Sequence, residues 1–242
     1  DLRLAEAIVG IGRGGVIAEQ FWRGGACETE VDEVVGASCG RRESMAASVW
    51  CCHPVTATRI PSTRFACESD MKLITWNIQW GRGADGRVDL DRIVAHARRF
   101  ADFDVLCVQE VSAGHQQLPG CDGSDQFEQL AARLPGYEPV AGVATDVLGS
   151  GGHRRRFGNM LFSRLPVRQV FRHLLPWPVE AGVMSMQRGA IEATLDTPLG
   201  PLRVATTHLE YYSARQRAAQ IDRLRELHRE AVAHAHVMRP GC

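Results

Sequence analysis

From Met71 onward, apolar and polar positions alternate with recognisable periods. In Met71 to Asn77 the side chains of Leu73, Thr75 and Asn77 fall on one side and those of Ile74 and Trp76 on the other. A period of two with β-branched and aromatic residues at its centre predicts a buried strand. The strand ends on an amide, Asn77, and Ile78-Gln79-Trp80 then lead into Gly81-Arg82-Gly83. Strand ends are where α/β proteins collect their chemistry, although asparagine is also a common turn residue. Asp89 can cap a helix in which Leu90, Ile93, Val94, Ala97 and Phe100 follow the helical spacing. Val105-Leu106-Cys107-Val108-Gln109-Glu110 then has the continuous apolar character of a central strand covered on both faces, with Glu110 at its end.

Asp125 and Glu128 form a capping-box pattern before Phe127, Leu130, Ala131 and Leu134, and Pro135-Gly136 close that helix. Tyr137 to Val143 reads as a strand. Gly149 to Gly152 with His153-Arg154-Arg155-Arg156 reads as a flexible basic loop that a polyanion could contact. Asn159 to Ser163 and Val167 to Leu174 read as a hairpin around Arg164-Leu165-Pro166. A second hairpin joins Gln187 to Leu195 with Leu202 to Leu209, and it finishes at His208. Ser213 and Gln216 make another capping box, and Ala214, Ala218, Ile221, Leu224 and His228 mark one face of a helix running to about Ala235. Met238-Arg239-Pro240-Gly241 breaks it.

Residues 1–70 differ in texture. Five cysteines (Cys27, Cys39, Cys51, Cys52, Cys67) gather there, glycines are frequent, and neither period is sustained. Ile8 to Ala18 is apolar enough for a short strand or helix, but Gly10, Gly12, Gly14 and Gly15 interrupt it. Paired Cys-x-x-Cys spacing is absent, which argues against a zinc site built with His53 and equally against a disulfide framework. The expectation is a disordered or non-native extension over 1–70 and a domain over 71–242.

Composition adds little. Acidic and basic residues balance at 28 each, and Lys72 is the sole lysine. The arginine excess is compatible with phosphate recognition and equally with a coding bias. No run of apolar residues is long enough for a membrane span, and with no targeting signal in view the cytoplasm is the default location. Oligomeric state cannot be read from the chain.

Five short motifs occur in order: Thr75-Trp76-Asn77-Ile78-Gln79, Gln109-Glu110, Gly158-Asn159 before Leu161-Phe162-Ser163-Arg164, Arg188-Gly189-Ala190, and Thr207-His208-Leu209. Each is weak alone, but together they resemble the endonuclease/exonuclease/phosphatase family, over Met71 to about Ala235. The resemblance implies a four-layered α/β sandwich: two mixed sheets face to face with helices outside. It also implies a metal-dependent phosphoester hydrolase, a nuclease or a phosphatase, in which water attacks phosphorus. By position, Glu110 matches the family's metal-binding glutamate, and Asn77 the asparagine that helps hold metal and phosphate. Arg188 matches an arginine near the phosphate, Asn159 a pocket-shaping residue, and His208 the histidine that, as an imidazolium, would bond the phosphate or protonate the leaving oxygen. Mg2+ or Mn2+ is the implied cofactor, since magnesium takes few protein oxygens and keeps several waters. The implied partner is a phosphoester substrate, nucleic acid among the options.

The departures are as informative. The family's Gly-Asp-x-Asn and Ser-Asp-His motifs, which orient the attacking water and complete the metal and base groups, do not occur in this sequence. The expectation is therefore a domain incomplete at its C-terminal part, inactive or nearly so, with an exposed sheet edge and marginal stability. Two alternatives stay open: a non-catalytic phosphate- or nucleic-acid-binding module using Asn77, Arg188 and the Arg154 to Arg156 loop, and a truncated product without function. The substrate is not legible. Trp80 and the pair Tyr211-Tyr212 adjoin motif residues, where they could stack on a base or sugar or simply pack locally.

Overall fold

The computed structural model describes residues 71–149, 151–198 and 200–234 in full; for residues 235–237 and for three strands nearer the N-terminus it describes the backbone alone. The elements in chain order are β1 (Ala5–Gly12), β2 (Gly15–Phe21), β3 (Thr56–Ile60), β4 (Met71–Asn77), α1 (Leu90–Phe100), β5 (Val105–Ala113) and α2 (Gln126–Arg133). They continue with β6 (Glu138–Leu148), β7 (Arg154–Ser163), β8 (Val167–Leu174), β9 (Gly189–Thr197), β10 (Gly200–His208) and α3 (Ala214–Val237). One sheet runs β3-β4-β5-β7-β6 and the other β2-β1-β10-β9-β8. Both are mixed: β4 and β5 pair in parallel, as do β1 and β10, and the remaining ladders are antiparallel.

The period of two along β4, β5 and β7 sorts their side chains into two cores. Ile74, Leu106, Val108, Met160 and Phe162 face α1 and α2, meeting Ile93, Val94, Ala97, Phe127 and Leu130. Their neighbours Leu73, Val105, Cys107 and Leu161 face the other way and pack on Ile191, Ala193 and Leu195 of β9 and Leu202 and Val204 of β10. On the far side of the second sheet, Ala190 and Leu209 meet Ile221 and Leu224 of α3. The result is helices, sheet, sheet, helix, the four-layered α/β sandwich that the sequence resemblance implies. Burial of these apolar faces is the main stabilising term.

Local signals read from the sequence hold at the helix caps, Ser213 Oγ accepting the Gln216 N–H at the start of α3. Asp89 accepts the N–H of Arg92 at the start of α1, and Asp125 accepts those of Phe127 and Glu128 at the start of α2. Phe100, however, is 52% exposed and lies outside the buried face of α1.

Three readings need correction. Residues 159–163 and 167–174 do not form a hairpin. β7 is paired on both edges, by β5 and by β6, so the chain leaves that sheet at Pro166 and β8 joins β9 in the other. Two apolar runs with a turn between them look the same whether the turn folds back or crosses between sheets. Second, Arg154 to Arg156 belong to β7 and not to a flexible loop: Arg154 pairs with Asp146 across the β6–β7 ladder and Arg156 with Asp125. Carboxylates already placed opposite these arginines convert a basic run into a strand. Third, α3 buries Gln216, Gln220 and Leu227, whereas Ala214 and Ala218 are exposed. The buried glutamines escaped the apolar pattern because they satisfy loop carbonyls: Gln216 donates to Pro178 and Gln220 to Pro176.

Strands β1 and β2 pair with each other across Ile8 to Ala18, and β3 pairs with β4. The cysteines Cys27, Cys39, Cys51, Cys52 and Cys67, with His53, and the helix-breaking residues 238–242 lie outside the described residues. Among the described residues no helix is long and apolar enough to cross a membrane.

Candidate active site

Glu110 owes its position to an irregularity in β5. The register against β7 slips between Gln109 and Val111, which pair with Asn159 and Gly158, so Glu110 is the extra residue of a bulge. Its φ is 62°, in the left-handed region that non-glycine residues rarely enter. The bulge resets the alternation. Cys107 faces the inter-sheet core, but Val111 and Ala113, of the same parity, lie in the core facing the helices. Glu110 is thereby freed from either core.

Asn77, at the end of β4, is 4% exposed and its amide orientation is fixed by chemistry. The backbone N–H of Gln79 points at Asn77 Oδ1 at 3.0 Å, so that atom must be the oxygen. Asn77 Nδ2 therefore faces His208 Nδ1, 3.3 Å away. An amide nitrogen only donates, which makes Nδ1 the acceptor and leaves the ring proton on Nε2. That nitrogen lies 3.6 Å from Glu110 Oε1. In the neutral ring, the hydrogen bond from Asn77 thus selects the Nε2–H tautomer.

Gln79 and Trp80, just after Asn77, also have positive φ, 47° and 44°. With Glu110 they are the non-glycine residues of this kind among the described residues, and all three flank or form this site. Backbone strain of this sort, on the order of 1–3 kcal/mol each, persists only where surroundings hold it. The clamps are visible: Gln126 Nε2 donates to the Trp80 carbonyl, Trp80 Nε1 to the Pro119 carbonyl, and Gln126 Oε1 accepts the Ser112 N–H.

Arg188 precedes β9 and borders a cleft with Asn159, His208, Phe157 and Met186. Its Nε donates to Glu210 Oε2 at 3.2 Å. Asn159 Nδ2 and Thr207 Oγ1 both donate to the Gly189 carbonyl, which fixes the start of β9 beside the cleft. Arg188, Asn159 and His208 thus line the cleft, and the two ring nitrogens of His208 connect it to Asn77 at Nδ1 and to Glu110 at Nε2.

Residues to which the motifs assigned no role support this arrangement. Gln109, fully buried, donates to Thr75 Oγ1 and to Thr206 Oγ1, tying the first sheet to the second directly behind the site. Glu210 follows His208 by two residues and is wholly buried. Its position in Thr-His-Leu-Glu was the available signal. Trp80 spends its N–H on Pro119, and Tyr211 and Tyr212 pack edge to face at 5.0 Å, so local packing accounts for these aromatics.

Among the described residues no three carboxylate, histidine or cysteine groups converge as a closed metal cage. One partly exposed carboxylate, Glu110, and one amide oxygen, Asn77 Oδ1, are donors of the kind that suit a hard cation keeping most of its waters.

Carboxylate, amide, imidazole and guanidinium groups thus gather at the strand ends of a two-sheet α/β sandwich. The family model described as Endonuclease/Exonuclease/phosphatase family matches residues 74–237, and the chain belongs to that family. Among solved structures it is similar to an endonuclease/exonuclease/phosphatase from Beutenbergia cavernae, with 32% identity and a TM-score of 0.47 over 57% of this chain and 37% of that one. It is also similar to a family protein from Bacteroides thetaiotaomicron, with 15% identity and a TM-score of 0.49 over 73% and 58%. A third, from Leptotrichia buccalis, has 14% identity and a TM-score of 0.38 over 56% and 54%. The chain spans less than two thirds of the length of each of these proteins. Comparison with curated proteins gives no match.

Proposed function

We propose that this domain carries the phosphate- and cation-handling groups of a metal-dependent phosphoester hydrolase. The observation that carries this reading is the chain of groups Arg188, His208, Asn77 and Glu110 at one end of the sandwich, three of them linked through the two ring nitrogens of His208. Glu110 and Asn77 are the residues that would hold Mg2+ or Mn2+. Such a cation, when bound, supplies positive charge to the phosphate oxygens. Arg188 offers N–H donors to non-bridging oxygens. His208 Nε2–H offers a further donor beside the same centre, and Asn159 keeps the cleft in shape through Gly189.

Hydrolysis also needs a group that takes the proton of the attacking water. The family motifs for that task, Gly-Asp-x-Asn and Ser-Asp-His, are absent from the sequence. These residues therefore bind phosphate and cation while turning over little or no substrate. The nucleic-acid-binding alternative loses its main support, since Arg154 and Arg156 already face Asp146 and Asp125.

Titration with Mn2+ and with inorganic phosphate, followed by calorimetry, tests the reading. Saturable Mn2+ binding lost in Glu110→Gln, and phosphate binding lost in Arg188→Lys, are the expected results. Brisk Mg2+-dependent cleavage of bis-p-nitrophenyl phosphate by this chain would overturn the expectation of inactivity. Absence of both binding events would overturn the site.

A further inference from the structure

Arg188 is 9% exposed, yet a single protein group holds its guanidinium: Nε donates to Glu210 Oε2. Among the described residues neither Nη nitrogen of Arg188 has a hydrogen-bond partner. The Glu210 carboxylate is committed on both sides, with Oε1 accepting the Tyr212 N–H at 2.8 Å and Oε2 taking Arg188. Its own backbone is held too: the Glu210 N–H donates to Gln220 Oε1, and Arg217 Nη1 donates to the Glu210 and Tyr211 carbonyls. Arg217 therefore braces the turn after His208 and leaves the carboxylate to Arg188.

We propose that Glu210 is a positioning residue: by taking the Nε–H it fixes the guanidinium plane and presents the paired Nη donors of Arg188 to a phosphate in the cleft. This deepens the phosphate-binding reading above and rests on it. A carboxylate on the Nε side of the guanidinium leaves the end-on edge, one N–H from each Nη, available for two phosphate oxygens. Burial makes the arrangement rigid. A wholly buried carboxylate losing its partner carries a large desolvation cost, so Arg188 and Glu210 move together or not at all. The same pair explains why the acid does not cancel the site: its charge anchors the arginine from behind while the donors face forward.

The experiment is NMR of the arginine Nε–Hε groups in the whole chain, combined with inorganic phosphate titration of four proteins: the parent, Arg188→Lys, Glu210→Gln and Glu210→Ala. In the parent, the Nε–Hε signal that Arg188→Lys removes should exchange with water far more slowly than those of surface arginines. Glu210→Ala should abolish that protection and weaken phosphate binding about tenfold, the scale of one charge-assisted contact. Glu210→Gln, which keeps an acceptor for Nε–H, should restore part of both. A retained parent-like phosphate affinity in Glu210→Ala, or fast exchange of the Arg188 Nε–Hε in the parent itself, would overturn the proposal. The parent spectrum answers the question even if the alanine variant fails to fold. Failure of the underlying reading looks different: Arg188→Lys would then bind phosphate as the parent does.

Discussion

His208 Nε2 stands 3.6 Å from Glu110 Oε1, and the two residues come from different sheets, β10 and β5. On the other side of the ring, Nδ1 meets the Asn77 amide nitrogen. The histidine is thus a bridge whose proton position is dictated by its neighbours. Long-range 15N correlation spectra should show Nδ1 unprotonated and Nε2 carrying the proton. In Asn77→Asp the group facing Nδ1 becomes an acceptor, so the proton should appear on Nδ1. A parent spectrum with the proton on Nδ1 would refute the assigned hydrogen bonding.

A second tie between the sheets is Gln109, whose Nε2 lies 3.1 Å from Thr75 Oγ1 and 3.0 Å from Thr206 Oγ1. Thr206→Val should destabilise the fold by about 1 kcal/mol, the net worth of a buried hydrogen bond. Combined with Gln109→Met in a double-mutant cycle, the two changes should show a coupling of about 1 kcal/mol, because the valine has nothing left to remove once the donor is gone. Denaturant midpoints measure this, and simple additivity would mean that the bridge is absent.

What the sequence conveyed and what it withheld divide along physical lines. Leu73, Ile74, Val105, Leu106 and the caps Asp89 and Asp125 were legible because local period and local hydrogen bonding decide them. The crossing from Ser163 to Val167 was not, since its outcome depends on which strand edges β5 and β6 leave free. Asn77, Glu110, Asn159, Arg188 and His208 were legible only as motif matches. The bulge that turns Glu110 out of β5 leaves no trace in composition, and the burial of Glu210 and Gln216 depends on partners distant in sequence.

Cys107 lies in the inter-sheet core, and burial pushes its thiol up from the ordinary 9.0 to about 12. An unfolded chain ionises this thiol near 9, whereas the folded chain holds it neutral. The unfolded state therefore binds fewer protons in that window, and Cys107 makes stability fall as pH rises from 9 towards 12. The difference in stability between the parent and Cys107→Ala should shrink over the same range, as read from denaturant midpoints. Native protein should also resist alkylation at Cys107, as seen by peptide mass spectrometry, and become reactive on unfolding.

The strain at Glu110 gives a prediction whose sign is unusual. In an ordinary strand, glycine is less stable than alanine, because it loses more chain entropy on folding. At Glu110, φ is 62°, and any residue with a Cβ is penalised there by about 1–2 kcal/mol, a cost that glycine escapes. Glu110→Gly should therefore be more stable than Glu110→Ala by about 1 kcal/mol, measured by denaturant unfolding. Both variants remove the carboxylate and should lose Mn2+ binding equally. Strain that glycine relieves, at the residue proposed to hold the cation, means that the backbone is kept in a costly conformation for the sake of where the side chain points. If alanine proves the more stable of the two, β5 runs straight through residue 110, and Glu110 then belongs to the face that packs on the helices and has no route to His208.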